Sequence, residues 1–183
     1  MPRKKVPRLK IEFKEVGTLS RDEKEYFAQI GKCIIEFSKA EHNLDEAIIA
    51  ALNQNRRHVT SLSKHFPSTM SDKLELMVHF CESEVALSKF VSHLQNRIKE
   101  LGRAMDLRNT LCHGYLDLIK TQHGETEFRF TRWRRSQEKY KIRQISTFPK
   151  RSSVKKAIRA MHIWKVLFAE LEIAIKSLPK RST

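Results

Sequence analysis

The segment Arg108-Asn109-Thr110-Leu111-Cys112-His113-Gly114 lies where a long helical pattern ends and the sequence changes character. If the helix extends to Cys112 or His113, Asn109 and His113 share one face, where the amide can fix the orientation of the imidazole. Arg108 precedes His113 by five residues, about 140° round the helix axis, so both side chains can border one groove without touching. Gly114 is expected to end the helix in the left-handed conformation, which glycine adopts without a steric penalty.

Four helices are predicted from apolar residues that recur every three, four or seven positions. A capping box, Ser20-Arg21-Asp22-Glu23, opens the first helix, which should end near residues 53 to 55. The others are expected from Ser71 to Cys81, from about Leu87 into the motif segment, and from Ser152 or Ser153 to the residue before Pro179. The apolar stripe of the third helix consists of Phe90, Leu94, Ile98, Leu101, Met105 and Leu111.

Between the last two helices the pattern becomes that of short strands. Residues 127–132 alternate apolar and polar side chains after a turn around His123-Gly124, and Tyr140–Ile145 can supply a third strand. The sequence therefore predicts a mainly α fold. Its architecture is a bundle of four main helices with a small basic β-hairpin or three-strand insertion at about residues 115–148.

Composition restricts the class of protein. The 183 residues are 40% hydrophobic and 31% charged, which is typical of a globular chain, and one domain is the default for this length. That domain is expected over residues 20–178, between a basic N-terminal arm (1–19) and a C-terminal tail (179–183). No apolar run is long enough to cross a bilayer and no signal core follows the N-terminal charges, so a cytoplasmic protein without a membrane partner is expected.

The cysteines and histidines do not have the spacing of a disulfide framework or a metal site. Cys33, Cys81 and Cys112 are odd in number, and Cys33 and Cys112 fall among apolar helix positions, which suits reduced thiols that pack as small hydrophobes. The eight histidines lack the i,i+4 pairs and the Cys-x-x-Cys partners of zinc sites. Neither a metal nor another cofactor is expected.

The net charge of +15 is concentrated in two segments. Residues 1–10 hold five basic residues and no acid, and residues 129–156 hold eleven basic residues against Glu138 alone, so these excesses of 5 and 10 account for the total. Such concentration indicates a polyanionic partner. Phe128 and Phe130 are expected to pack against the helices. The candidate nucleic-acid contacts are Arg129, Arg132, Trp133, Arg134, Arg135, Lys139, Lys141 and Arg143, of which Trp133 suits stacking on bases and packing equally.

The motif segment resembles the motif of the HEPN superfamily. In that family an arginine is followed, after four to six residues of which the first is polar and usually asparagine, by a histidine. Here four residues separate Arg108 from His113, Asn109 fills the polar position, and Gly114 follows as it often does in the family. The resemblance covers about residues 20 to 178 and implies a helical bundle that pairs its motif helices about a two-fold axis.

The resemblance also implies a metal-independent endoribonuclease that uses the nucleophile carried by RNA itself. A general base would take the proton of the ribose 2′-hydroxyl, whose oxygen attacks the adjacent phosphorus and leaves a 2′,3′-cyclic phosphate and a 5′-hydroxyl end. His113 would carry the proton, Arg108 would stabilise the developing charge, and Asn109 would orient His113 or the phosphate. Because one motif supplies one histidine, a homodimer is expected to bring two into one cleft.

Two further interpretations follow from the same residues. The pattern Arg-x4-His-x-Tyr, completed by Tyr115, resembles a subset of HEPN toxins whose tyrosine is adenylylated by a nucleotidyltransferase antitoxin. The sequence does not distinguish a toxin or antiviral defence effector from an RNA-processing enzyme. The main alternative is a non-catalytic RNA-binding or partner-binding HEPN module, whereas a DNA-binding protein is disfavoured because no helix-turn-helix spacing is present.

Overall fold

Four helices and a three-stranded sheet make up the part of the chain that the structure describes. The computed structural model describes residues 20–54, 66–120, 126–135 and 142–179, without the side chains of 117–120, 126–127, 133–135 and 142–143. The elements in chain order are α1 (Arg21–Asn53), α2 (Met70–Ser83), a short 3-10 turn (Val85–Leu87), α3 (Ser88–His113), β1 (Tyr115–Lys120), β2 (Thr126–Arg135), β3 (Ile142–Thr147) and α4 (Arg151–Lys176).

The predicted fold class is confirmed, because the small sheet is inserted between the last two of these helices. The helix limits agree with the predicted ones to within about two residues. The basic arm of residues 1–19 and the turn around His123-Gly124 lie outside the described residues. None of the described helices combines the length and the apolar character that a membrane span requires.

The capping box at the start of α1 is confirmed. The Ser20 hydroxyl accepts a hydrogen bond from the Glu23 backbone N–H (3.2 Å), and the Glu23 carboxylate accepts one from the Ser20 backbone N–H (2.7 Å). These bonds satisfy amides that the first turn of a helix otherwise leaves unpaired. The sequence signal therefore places the start of α1 correctly.

Helices α1 and α4 are joined along their length by side-chain hydrogen bonds to backbone carbonyls. Tyr26 Oη donates to the carbonyl of Pro149 (2.6 Å), Asn43 Nδ2 to that of Lys165 (2.9 Å), and Gln54 Nε2 to that of Ile175 (3.2 Å). Because the residue numbers rise together along the two helices, α1 and α4 run parallel. Each bond of this kind contributes about 0.5–1.5 kcal/mol to the free energy of unfolding.

The apolar stripes of the four helices meet in one core. Trp164 and Phe168 of α4 are fully buried at its centre, with ring centroids 5.0 Å apart. Complete burial of a side chain of this size stabilises the fold by roughly 1.5–3 kcal/mol relative to its exposed state. The other large side chains in full burial are Tyr26, Leu44, Ile48, Met77, Phe80, Leu87, Leu94, Leu101, Met161 and Leu171. Ile98, predicted as part of the stripe of α3, is instead 43% exposed.

Helix α2 is held to α1 by a buried lysine. Lys73 is 5% exposed, and its Nζ lies 3.1 Å from Glu41 Oε1 and 2.8 Å from Asp45 Oδ1. Burial alone would lower the pKa of Lys73, but the hydrogen bonds to Asp45 and Glu41 outweigh it and the pKa is raised. The ammonium group therefore stays charged, and removal of either of its partners would leave it less well compensated.

The sheet is antiparallel, in the order β1-β2-β3. The hairpin of β1 and β2 pairs Tyr115 with Thr131, and β3 continues the sheet by pairing Thr147 with Phe130. Phe130 is 3% exposed, and the ring of Phe128 lies 4.2 Å from that of Tyr26, centroid to centroid. The prediction that these two phenylalanines pack against the helices is therefore confirmed. The third strand extends to Thr147, two residues beyond its predicted end.

Gly114 ends α3, but not in the predicted left-handed conformation. Its φ is −83° and its ψ is 141°, which is ordinary extended backbone, while its N–H donates to the Thr110 carbonyl at 2.9 Å. Glycine is required for a different reason. A Cβ at this position would overlap the Thr110 carbonyl oxygen and lie 3.2 Å from Phe130 Cβ. The close approach of the helix end to β2 therefore excludes a side chain.

Gly114→Ala should lower the free energy of unfolding by about 1–3 kcal/mol, because the added methyl group forces the helix end and Phe130 apart. Gly31→Ala is the matched control, since a Cβ at Gly31 would meet no atom within 4 Å. In the interior of α1 it should raise stability by roughly 0.5–1 kcal/mol. Urea denaturation followed by circular dichroism measures both changes, and equal effects of the two substitutions would contradict the close-approach explanation.

Candidate active site

The motif residues occupy the last two turns of α3. Arg108 and Asn109 are half-buried, whereas His113 is exposed in the final turn, directly before Gly114. Because α3 ends at this point, the imidazole stands at a helix terminus that faces solvent. The structure thus places a fixed cation and an accessible imidazole on one short segment.

Phe37 of α1 supports the guanidinium group of Arg108. The Arg108 Cζ lies 5.1 Å from the centroid of the Phe37 ring, which is a cation–π geometry, and Phe37 itself is 4% exposed. A buried ring cannot move aside, so it holds the guanidinium plane in place. The sequence does not reveal this contact, because the apolar spacing of Phe37 indicates only a core residue.

Asn109 interacts with Arg108 and not with His113. Arg108 Nη1 donates to Asn109 Oδ1 at 3.0 Å, and no hydrogen bond joins Asn109 to His113 within the described residues. The prediction that the amide fixes the imidazole is therefore wrong for this arrangement. Asn109 bonds to Arg108 instead because the charged guanidinium is the stronger donor and lies within reach of the amide oxygen.

The charge of Arg108 is not neutralised by a neighbouring acid. Among the described residues no Asp or Glu forms an ion pair with Arg108, and its buried Nε has no hydrogen-bond partner there. Stacking on Phe37 and the bond to Asn109 position the guanidinium but leave its positive charge uncompensated. Such a group is suited to bind an anion, above all a phosphate, whose oxygens match its fork of donors.

The cysteine beside His113 is exposed, contrary to expectation. Cys112 lies on the surface, whereas Cys33 is 1% exposed and Cys81 is fully buried; all three are free thiols. Burial, together with the nearby Cys112, raises the pKa of the Cys33 thiol to about 11.

Tyr115 begins β1 two residues after His113. Its side chain is 71% exposed, so packing within the hairpin does not bury it. The backbone pairs with that of Thr131 in β2. The side chain is therefore open to a reagent or an enzyme.

The predicted nucleic-acid contacts are only partly within the described residues. Arg129 and Arg132 are half-buried, and Arg132 Nη2 lies 3.8 Å from Asp106 Oδ1, which draws β2 against α3. The other six lie wholly or partly outside the described residues. Only the backbone is described for Trp133, Arg134, Arg135 and Arg143, and nothing is described for Lys139 and Lys141. Within the described ranges, no three His, Cys, Asp or Glu side chains are grouped so as to hold a metal ion.

No protein-family model matches this sequence, and neither a curated protein nor a solved structure gives a significant match. The function is therefore inferred from the residues at the end of α3 and from the surfaces that surround them.

Proposed function

We propose that the chain is a metal-independent endoribonuclease of the HEPN type. The observation that carries the proposal is the combination of a guanidinium stacked on Phe37, 5.1 Å from its ring centroid, with an exposed imidazole five residues further along α3. RNA brings its own nucleophile, so an enzyme needs to supply only a proton carrier and a group that stabilises negative charge. His113 and Arg108 are groups of those two kinds.

In the proposed reaction the ribose 2′-oxygen forms a bond to the adjacent phosphorus as His113 accepts its proton. The bond from phosphorus to the 5′-oxygen then breaks, and the leaving oxygen takes a proton from an acid. Negative charge increases on the non-bridging phosphoryl oxygens, where Arg108 donates hydrogen bonds. Asn109 acts as a positioning residue, because its amide oxygen holds Arg108 Nη1 at 3.0 Å.

Substitution separates this proposal from a non-catalytic RNA-binding or partner-binding HEPN module. In excess EDTA, His113→Ala should lower the rate of RNA cleavage by about 10² to 10⁴-fold, because the proton carrier is lost. Arg108→Lys keeps the charge but loses the contact between the guanidinium and the Phe37 ring, so a decrease of roughly 10- to 100-fold is expected. End-labelled single-stranded RNA and denaturing gels measure both rates.

The matched controls are His93→Ala and Arg97→Lys, which change the same residue types on the same helix away from the motif. Their cleavage rates should stay within about twofold of the wild-type rate, as for surface positions outside a site. Tight RNA binding without cleavage by the wild-type protein would instead favour the non-catalytic module.

A homodimer through α3 is part of the proposal, because the reaction needs an acid as well as a base. One face of α3 is formed by residues three or four positions apart, which are Ile98, Gly102, Met105, Asn109 and His113. Ile98 is 43% exposed, and a Cβ at Gly102 would meet no atom within 4 Å. The part of this face formed by Ile98, Gly102 and Met105 is apolar and borders a groove beside α2, so it offers a docking surface for a second α3 that would bring two motifs together.

Ile98→Glu should shift the protein from a dimer towards the 21.5 kDa monomer and reduce cleavage in proportion. A charge on the apolar face would have to be desolvated in the dimer. Ile163→Glu on α4 is the control, because Ile163 is 41% exposed and lies on another surface. Sedimentation velocity measures the mass, and a dimer that survives Ile98→Glu would exclude this face.

Tyr115 offers a means to regulate the same site. With 71% of its side chain exposed, two residues from His113, it is accessible to a nucleotidyltransferase antitoxin that would add an adenylyl group. The added phosphate would place negative charge beside the motif and compete with RNA for Arg108. Mass spectrometry after co-expression with a candidate antitoxin should find the modification at Tyr115 and not in Tyr115→Phe; an unmodified Tyr115 would refute this regulation.

A further inference from the structure

A second cationic surface lies on the side of α3 that faces α4. A cleft of about 690 Å³ opens between α3, β2 and the start of α4, and is referred to below as the α3–α4 cleft. Its volume falls within the range of sites that hold small organic ligands. The charged and aromatic residues that line it are Glu100, Arg103, Asp106, Arg132, Phe148, Lys150 and Lys156.

The cations of the α3–α4 cleft exceed the acids available to pair with them. Asp106 lies 3.8 Å from Arg132, and Glu100, which also lines the cleft, lies 3.6 Å from Arg97, which does not line it. Among the described residues no acid forms an ion pair with the remaining three cations, which are Arg103, Lys150 and Lys156. Three uncompensated positive charges around one concave surface favour a ligand with more than one phosphate.

The start of α4 adds to the positive potential. Lys150 is the N-cap residue, its side chain makes no capping hydrogen bond, and α4 extends over 26 residues from there. The helix dipole places partial positive charge at this end of the helix, beside Lys150 and Lys156. The dipole alone would not define a site, but here it adds to three side-chain charges.

An aromatic ring stands at the edge of the cleft. Phe148 follows β3 directly and is 49% exposed, as Phe66 is, whereas five of the other described phenylalanines are buried. An exposed ring beside uncompensated cations is the combination by which proteins hold single-stranded nucleic acids, with bases stacked on the ring and phosphates on the cations. A duplex would not present its bases to Phe148 in this way.

The cleft and the motif share the same helix. Arg103 precedes His113 by ten residues, which is about 15 Å along α3. Asp106 and His113 are seven residues apart, so they lie near the same side of the helix, two turns from each other. A strand of a few nucleotides can therefore extend from the imidazole into the cleft without crossing α3.

The geometry points to the α3–α4 cleft as a binding subsite for single-stranded RNA that flanks the scissile bond. Arg103, Lys150 and Lys156 bind successive phosphates, and Phe148 stacks on an unpaired base. The choice of RNA as ligand rests on the proposed function, whereas the cleft, its charges and its exposed ring do not. Proteins that cut RNA at one phosphodiester gain affinity and register from such contacts on either side of it.

The test is equilibrium binding of a labelled single-stranded RNA oligonucleotide to protein carrying His113→Ala, so that the RNA stays intact. The cleft variant combines Arg103→Gln, Lys150→Gln and Lys156→Gln, and the control combines Lys39→Gln, Lys89→Gln and Lys176→Gln. Both remove three charges, but the control residues lie outside the cleft. Glutamine has nearly the helix propensity of lysine and arginine, so both variants should fold, which circular dichroism checks.

The cleft variant should bind RNA at least about tenfold more weakly, and the slope of log affinity against log salt should fall by about 2, since each lost phosphate contact contributes roughly 0.7. The control should stay within about twofold, with an almost unchanged slope. Phe148→Leu should lose about tenfold in affinity without a change in slope, because stacking is not ionic.

Equal weakening of the cleft and control variants would overturn the subsite, because net charge alone would then explain the binding. Adenosine monophosphate that binds the cleft as tightly as the oligonucleotide would assign it to a free nucleotide instead of RNA. Failure of the nuclease proposal is a separate result. If the wild-type protein binds RNA through the cleft but does not cut it, the binding subsite is supported and the nuclease proposal fails. If the cleft variant cleaves RNA as fast as the wild type, the nuclease proposal is supported and the subsite is not.

Discussion

The close approach between the end of α3 and strand β2 is the constraint on which the candidate site depends. Gly114 turns the chain in extended conformation where a side chain would overlap the Thr110 carbonyl and press on Phe130. Phe130 is buried in the core, so the helix end cannot move away from the sheet without exposing it. The position at which α3 stops, the exposure of His113 and the start of β1 at Tyr115 are all set by this contact.

The second structural condition is the way Arg108 is held. A buried arginine is usually paired with a carboxylate, which fixes its position but also cancels its charge. Here an aromatic ring and a neutral amide fix the guanidinium, at 5.1 Å from the Phe37 centroid and 3.0 Å from Asn109 Oδ1. Cation–π contact contributes about 0.5–2 kcal/mol according to its desolvation. The charge therefore remains available to an external anion, as the proposed reaction requires.

Local patterns in the sequence were sufficient for much of the fold, because they report interactions within a few residues. The Ser20–Glu23 capping box and the apolar periodicity of the helices depend on neighbours one turn away. The box was predicted correctly, and so were the apolar stripes except at Ile98, which is exposed. The alternation of residues 127–132 was sufficient to assign a strand, and the expectation that Phe128 and Phe130 pack inwards is confirmed. These patterns require no knowledge of which elements meet.

The features that the sequence did not predict depend on distant partners. Phe37 precedes Arg108 by 71 positions, and Lys73 pairs with carboxylates from another helix, so no local spacing indicates either contact. Gly114 was predicted to end α3 in the left-handed conformation. The structure instead requires glycine because Phe130 of β2 approaches this position closely. Asn109 was expected to contact His113, and this expectation was wrong because Arg108 competes for the same amide oxygen.

The central claim is that the attacking group belongs to the RNA. The most direct measurement is cleavage, in excess EDTA, of an oligonucleotide in which a single 2′-deoxyribose replaces the ribose on the 5′ side of a mapped cleavage position. If the 2′-oxygen is the nucleophile, cutting stops at that bond, continues at others and leaves 2′,3′-cyclic phosphate ends, because the nucleophile has been removed at one position only. Cleavage that persists at the deoxy position would mean that water is the nucleophile, and it would contradict the roles assigned to His113 and Arg108.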